Sequence, residues 1–310
     1  MKIAKIVVLA TLALALIVPG ASASLVVQEL FDGCVLDTTI NGVGDLTTSQ
    51  GLSGTWATNG STGIWTANNF DVETTPALPG LSPNAGSIGG AYFGSWSVGN
   101  NWGTGIYATR ALSTAIDFNS DQTLYFSFRL NNGGDSAQGV GLAAGANGSA
   151  EFLGAGKIWN GATGLDSGDA ANSAYLTYGA LDQNLAGNND GPYAIQQHTA
   201  AGSFDGRHLF VGRLGLSSAG NDQFDLKVYS AGDTIESDPD TVAWTLQGSI
   251  DSSMSATHLL LWANGSGQSE VDAIRVGTTW MDVTGIPEPA TVSLLAAAGL
   301  AAVIRRRRVG

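Results

Sequence analysis

Between residues 24 and 285 the apolar positions alternate with polar ones far more often than they recur at helical spacing. In Leu124-Tyr125-Phe126-Ser127-Phe128-Arg129-Leu130, the residues at 124, 126, 128 and 130 share one face of an extended chain. Phe224, Leu226 and Val228 alternate in the same way with Asp225, Lys227 and Tyr229. The same reading places strands at 26–31, 106–110, 140–144, 208–216, 242–246, 258–263 and 271–276. Turn-forming runs separate them: Asn131-Asn132-Gly133-Gly134, Ser218-Ala219-Gly220-Asn221-Asp222 and Asn264-Gly265-Ser266-Gly267. No long amphipathic helix is predicted in this region, and no internal repeat stands out. Many short antiparallel strands predict an all-β domain of two sheets packed face to face.

The two ends follow another pattern. Lys2 and Lys5 precede an apolar stretch over residues 6–18, then Pro19-Gly20 and the small-x-small run Ala21-Ser22-Ala23. That order predicts a secretory signal helix over 1–23, cut after Ala23 by signal peptidase. At the other end Ile286-Pro287-Glu288-Pro289 leads into an apolar run over 290–304, and Arg305, Arg306, Arg307 and Arg308 follow. The prolines stop a helix from running back into the domain. The apolar run predicts a transmembrane helix, with the arginines held on the cytoplasmic side. At ~1.5 Å per residue this helix spans about 22 Å, short of the ~30 Å hydrocarbon core, and snorkelling arginines make up part of the gap. The expected organisation is therefore a signal peptide at 1–23, a β-sandwich at 24–285 and a C-terminal membrane-inserting segment at 286–310. A plain membrane anchor is the alternative reading of that last segment.

Composition narrows the partners. Charged residues make up 13% of the chain and the formal net charge is −13. Six of the 13 basic residues lie at the two ends, so residues 24–285 hold seven basic and 25 acidic side chains, about −18. Such a surface repels phosphate backbones and has no basic stripe, which argues against nucleic acid. It is compatible with cations or a neutral polymer. The 43 glycines have no three-residue period, which excludes collagen. Cys34 is the one cysteine, so no internal disulfide and no multi-cysteine zinc site can form. It lies too far beyond Ala23 for a lipid anchor and is read as a core residue.

The C-terminal segment resembles the bacterial PEP-CTERM sorting signal, on Pro287, Glu288 and Pro289, the Ala/Leu-rich helix and Arg305, Arg306, Arg307 and Arg308, in that order. The resemblance implies recognition by an exosortase, a transient stay in the inner membrane, cleavage near the Pro-Glu-Pro, and release or attachment at the cell surface. It also implies a bacterium that makes exopolysaccharide. The Leu-Pro-x-Thr-Gly signal of other sortases is absent. Residues 25–284 loosely resemble concanavalin A-like, laminin-G-like jelly rolls. The likeness rests on Glu270-Val271-Asp272-Ala273-Ile274-Arg275-Val276-Gly277, followed by Thr278-Thr279-Trp280-Met281-Asp282-Val283, as closing strand and tail. It also rests on a hairpin over 204–229, and on Phe31-Asp32 with Gly54-Thr55-Trp56 near the start. An unrelated β-sandwich is the rival.

Candidate chemistry is sparse. Glucanases of the jelly-roll class carry Glu-x-Asp-x-x-Glu on one strand, where side chains two apart face one cleft and serve as nucleophile and acid. Glu270 and Asp272 match the first two places, but Arg275 stands at the third, and in a regular strand it falls on the opposite face. Asp272 is therefore read as a structural or rim residue. Gly134-Asp135-Ser136 sits in a turn rather than a nucleophile elbow. His198, His208 and His258 are widely spaced and form no metal-binding pair. Calcium is the one cofactor for which acidic loops exist, at Glu236-Ser237-Asp238-Pro239-Asp240 and Asn188-Asn189-Asp190, both without EF-hand spacing. Trp96, Asn100, Asn101 and Trp102, with Trp159 and Asn160, have the composition of a glycan-contact surface, although tryptophans fill cores equally well. The expectation is a secreted, non-catalytic surface or matrix protein associated with extracellular polysaccharide. The alternatives are a carbohydrate-binding module, or a glycan hydrolase or lyase.

Overall fold

A computed structural model of the chain describes residues 24–31, 41–42, 44, 49–58, 65–67, 91–94, 106–132, 136–146, 150–158, 173–180, 194–199, 206–230, 232–265 and 268–287. Two antiparallel sheets account for nearly all of them. The first runs β13 (Leu246–Ile250), β12 (Asp222–Tyr229), β11 (Gly206–Leu216), β6 (Gln122–Asn132), β15 (Gln268–Gly277), β4 (Ala91–Gly94) and β3 (Trp65–Ala67). Strand β1 (Leu25–Glu29) also pairs with β15. The second runs β10 (Ala194–His198), β9 (Ser173–Ala180), β8 (Glu151–Ile158), β7 (Ser136–Ala143), β14 (Ser255–Gly265), β5 (Ile106–Asp117) and β2 (Leu52–Thr58). The chain changes sheet between β1 and β2, β2 and β3, β4 and β5, β5 and β6, β6 and β7, β10 and β11, β13 and β14, and β14 and β15.

The alternation read in the sequence is the reason for the sandwich. Leu124, Phe128 and Leu130 of β6, Phe210 and Leu214 of β11, and Phe224 and Leu226 of β12 point inward from the first sheet. They meet Val140, Leu142, Leu153, Leu176, Leu259 and Leu261 of the second. Phe128 stacks on Phe210 with centroids 4.9 Å apart. Phe31 and Trp56, singled out near the start of the domain, stack at 5.8 Å. At Phe31 the backbone turns to φ 53°, which ends β1.

One expected strand is misplaced. Residues 242–246 do not form a strand; pairing begins only at Leu246. Val242 and Trp244 belong instead to a second apolar cluster on the outer face of the first sheet, with Leu209, Val211, Tyr229, Ile235, Trp280 and Val283. A 3-10 turn at Pro239–Thr241, capped by Asp238, bends the chain onto this face. Helix α1 (Trp280–Thr284) covers it further. Thr279 and Asp282 form its capping box, and Gly285 closes it in the left-handed conformation, φ 72°. Around β6, β11 and β12 the first sheet is therefore covered on both sides. The outer face of the second sheet shows why β8 escaped notice. The ring of Trp262 lies so close over Gly139 and Gly154 that a Cβ there would sit 2.3 and 2.4 Å from it. Those glycines interrupt the hydrophobic alternation by which strands are recognised.

A buried ion pair ties the sheets together. Arg110 of β5 and Glu29 of β1 are 1% and 0% exposed, and Arg110 Nη1 donates to Glu29 Oε2 at 2.6 Å. Ser49 Oγ donates to both oxygens of Glu29, and the Phe31 N–H donates to Oε1. Arg110 Nε donates to the Gly54 carbonyl at 3.2 Å.

Neither the signal segment nor the arginine-tipped tail falls within the described residues, apart from Ile286 and Pro287. No helix among the described residues is long and apolar enough to cross a membrane. Breaking the inter-sheet pair should be costly. Glu29→Gln leaves the Arg110 charge buried without its carboxylate and is expected to lower stability by about 3–5 kcal/mol, read as a lower denaturant midpoint.

Candidate functional site

The outer face of the first sheet carries an unusual concentration of charge where β6 meets β15. Their register runs Val271 to Leu130 and Asp272 to Arg129, then shifts, so that Arg275 faces Ser127 and Val276 faces Phe126. Two residues, Ala273 and Ile274, thus stand against the single Phe128. This is a β-bulge, and Ala273 holds a left-handed φ of 53°. The bulge changes the facing of everything after it. Ile274 and Val276 both reach the core, and Arg275 comes to the same face as Asp272. The expectation that Arg275 lies on the opposite face is overturned, because that expectation assumed regular pairing.

Arg129 is 4% exposed and Asp272 9%, so Asp272 is a buried residue rather than a rim one. Arg275 is half-buried. Burial pushes the Arg129 guanidinium below its ordinary value, and Asp272 draws it back up. Arg275 is lowered by burial first and by the neighbouring Arg129 charge second, again with Asp272 opposing. Three buried donors here have no hydrogen-bond acceptor: Nε and Nη2 of Arg129 and Nε of Arg275. Beside them Ser127 Oγ donates to the Val283 carbonyl at 2.8 Å, which seats α1 against the cluster.

Another arginine on this face is fully engaged. Arg213 donates through Nε and Nη2 to Asp225 Oδ2 at 2.9 and 2.7 Å and lies 5.1 Å over the ring of Trp244. Gln223 and Gln247 donate to the other Asp225 oxygen. Tyr178, Glu151 and Ser252 form a further polar group. The Tyr178 hydroxyl and Ser252 Oγ both donate to Glu151 Oε1. Burial and that hydrogen bond push Tyr178 up to about 12.

The other candidates disperse. His198, His208 and His258 lie on β10, β11 and β14. His258 Nδ1 is 2.8 Å from Thr257 Oγ1, and burial lowers its imidazole below the usual value. In the 236–240 loop, Glu236 accepts from the Tyr229 hydroxyl, Asp238 from the Asp240 N–H, and Asp240 from Arg213 at 3.5 Å. Those carboxylates serve protein donors, and no group of three or more His, Cys, Asp or Glu among the described residues is arranged to hold a metal ion. Ser136 begins β7, whereas Gly134, Asp135, Cys34 and the 188–190 loop lie outside the described residues. So do Trp96, Asn100, Asn101, Trp102, Trp159 and Asn160, and with them Ala21, Ala23, Glu288, Pro289, Arg305, Arg306, Arg307 and Arg308.

No family model matches the sequence, and no curated protein does. Similar solved structures include the endo-β-1,4-glucuronan lyase of the fungus Trichoderma reesei, 11% identical over 65% of this chain and 86% of that one, with a TM-score of 0.35. The metal-free carbohydrate recognition domain of Emp46p is 12% identical over 57% of this chain and 79% of that one, TM-score 0.35. A β-glucanase of Bacillus licheniformis is 9% identical over 73% of this chain and 92% of that one, TM-score 0.36. Similarity at this level identifies neither a ligand nor an activity for this chain.

Asp272 is a negative charge that acts on both Arg129 and Arg275. Asp272→Asn is therefore expected to lower stability by about 3 kcal/mol, since it leaves two neighbouring guanidinium groups buried without it. Equilibrium denaturation measures the change.

Proposed function

We propose that the chain is an exported, non-catalytic surface or matrix protein. In this reading signal peptidase trims it after Ala23, and an exosortase recognises Pro287-Glu288-Pro289, the following apolar helix and the four arginines. Its two-sheet domain is read as a concanavalin A-like jelly roll that meets extracellular polysaccharide. The observation that carries the reading is the exposure of the first residue of the motif. Helix α1 is closed by Gly285, Ile286 packs against the outer apolar cluster, and Pro287 is exposed. The first residue of the sorting motif is therefore open to solvent, where a membrane protease could reach it. The two prolines keep the segment extended, as a protease subsite requires.

The non-catalytic part of the reading is supported by the identity of residue 275. A guanidinium stands where the glucanase pattern has its second catalytic carboxylate, and it has no proton to give or take near neutral pH. Asp272 lies opposite Arg129 and on the same face as Arg275.

Mass spectrometry of the surface and extracellular fractions of an exosortase-bearing host tests the reading. The expected chain begins at Ser24 and ends at residues 287–289, and the same host without its exosortase retains the tail in the inner membrane. Chains on the surface that still carry Arg308 would contradict it.

A further inference from the structure

We propose that Arg129 and Arg275 form a binding site for one carboxylate monoanion, with Asp272 holding the two guanidinium groups side by side. The first argument is one of donors. An arginine presents five N–H groups and no acceptor, and leaving such a donor buried without a partner is costly. Nε and Nη2 of Arg129 and Nε of Arg275 are buried with no acceptor. By contrast, Arg213 on the same face and Arg110 between the sheets each reach a carboxylate. Those two arginines are satisfied by the fold, whereas this pair keeps donors without an acceptor.

The second argument is one of charge. Two guanidinium groups repel each other here, and Asp272 attracts both. The three groups therefore carry a net single positive charge, which one monoanion balances. The third argument is one of construction. Arg129 is opposite Asp272, and Arg275 is one position further along the same face, opposite Ser127. Diagonal neighbours of this kind lie roughly 7–8 Å apart, a span that one carboxylate between two long side chains bridges. Arg275 reaches this face only because of the bulge at Ala273, an L-residue held at φ 53°. A left-handed alanine persists only where its surroundings enforce it, and such outliers gather at binding and catalytic sites.

The chemistry of the pair selects the ligand. Planar guanidinium forks match the two coplanar oxygens of a carboxylate. Arg275, half-buried, forms the approach from solvent, and the orphaned nitrogens of Arg129 lie behind it. The region between residues 24 and 285 carries 25 acidic side chains against seven basic ones. That background repels a densely charged polyanion and tolerates a single charge. The ligand is thus an isolated carboxylate, supplied by a sugar acid within a largely neutral glycan or by a small organic acid. The site stands apart from the sorting reading, since it is assayed on the chain whether or not its ends are trimmed.

Calorimetric titration of the full chain, solubilised in a neutral detergent, tests this with four probes: sodium glucuronate, sodium acetate, glucose and sodium chloride. Saturable binding is expected for the carboxylates and not for glucose or chloride. Glucuronate binding more tightly than acetate assigns the site to a sugar acid, and equal affinities assign it to the carboxylate alone. Arg275→Gln is expected to weaken binding by about tenfold or more, the scale of a charged hydrogen bond. Lys227→Gln, distant on β12, should leave it unchanged. Because Arg129 is buried and Arg129→Gln also disturbs the sheet, the arginine Nε–H resonances of the wild-type chain supply a second readout, and those of Arg129 and Arg275 should shift as glucuronate is added. Absence of saturable carboxylate binding, or binding that Arg275→Gln leaves intact, would overturn the proposal.

Discussion

A charge taken out of water has to be met by an opposite charge and by hydrogen-bond partners, and this sandwich buries several. The first sheet is packed on both faces: its inner side against the second sheet, its outer side under α1 and the segment between β12 and β13. Where that cover lies, few of the described positions are open to solvent, so a buried arginine there has to be answered locally. Arg110 is answered by Glu29, Ser49 and Gly54, and Arg213 by Asp225. Removing a partner from such a pair costs more than the pair contributes, because it leaves the other charge stranded. Arg129 and Arg275 depart from that rule. They share Asp272 and keep donors to spare, and the functional argument follows from that departure.

The device that produces it is small. One extra residue in β15 rotates the chain so that Arg275 leaves the core face and joins Asp272. Holding an L-residue in the left-handed region costs roughly 1–2 kcal/mol. Without the shift, strict alternation would turn the Arg275 guanidinium into the apolar interior and Ile274 and Val276 out of it, at a far greater cost. The bulge therefore keeps the core apolar and places a second cation beside the first.

The sequence showed much of the scaffold and little of the site. Alternation identified β6, β11, β12, β14 and β15 because their inner faces are continuous Leu, Phe and Val. It failed at β8, where Gly154 and Gly156 make room for neighbouring strands and the Trp262 ring. It failed again at 242–246, because Val242 and Trp244 are apolar for a different reason: they cover the outer face of a sheet rather than pair within one. The Glu-x-Asp-x-x-Arg pattern was visible, but its geometry was not. A bulge at an Ala-Ile step has no glycine to announce it, and the pairing partner that defines it lies more than a hundred residues away on β6. The reading of the two termini is of another kind: it rests on the order of residues along the chain alone, and those segments lie almost wholly outside the described residues.

The most direct measurement is a high-resolution crystal structure of the protein grown in the presence of glucuronate. The account predicts planar density bridging Arg129 and Arg275 on the outer face of the first sheet, with its oxygens within hydrogen-bond distance of the orphaned nitrogens and the bulge at Ala273 intact. A structure in which those nitrogens instead donate to acceptors of the protein itself, and no carboxylate is bound between them, would contradict it.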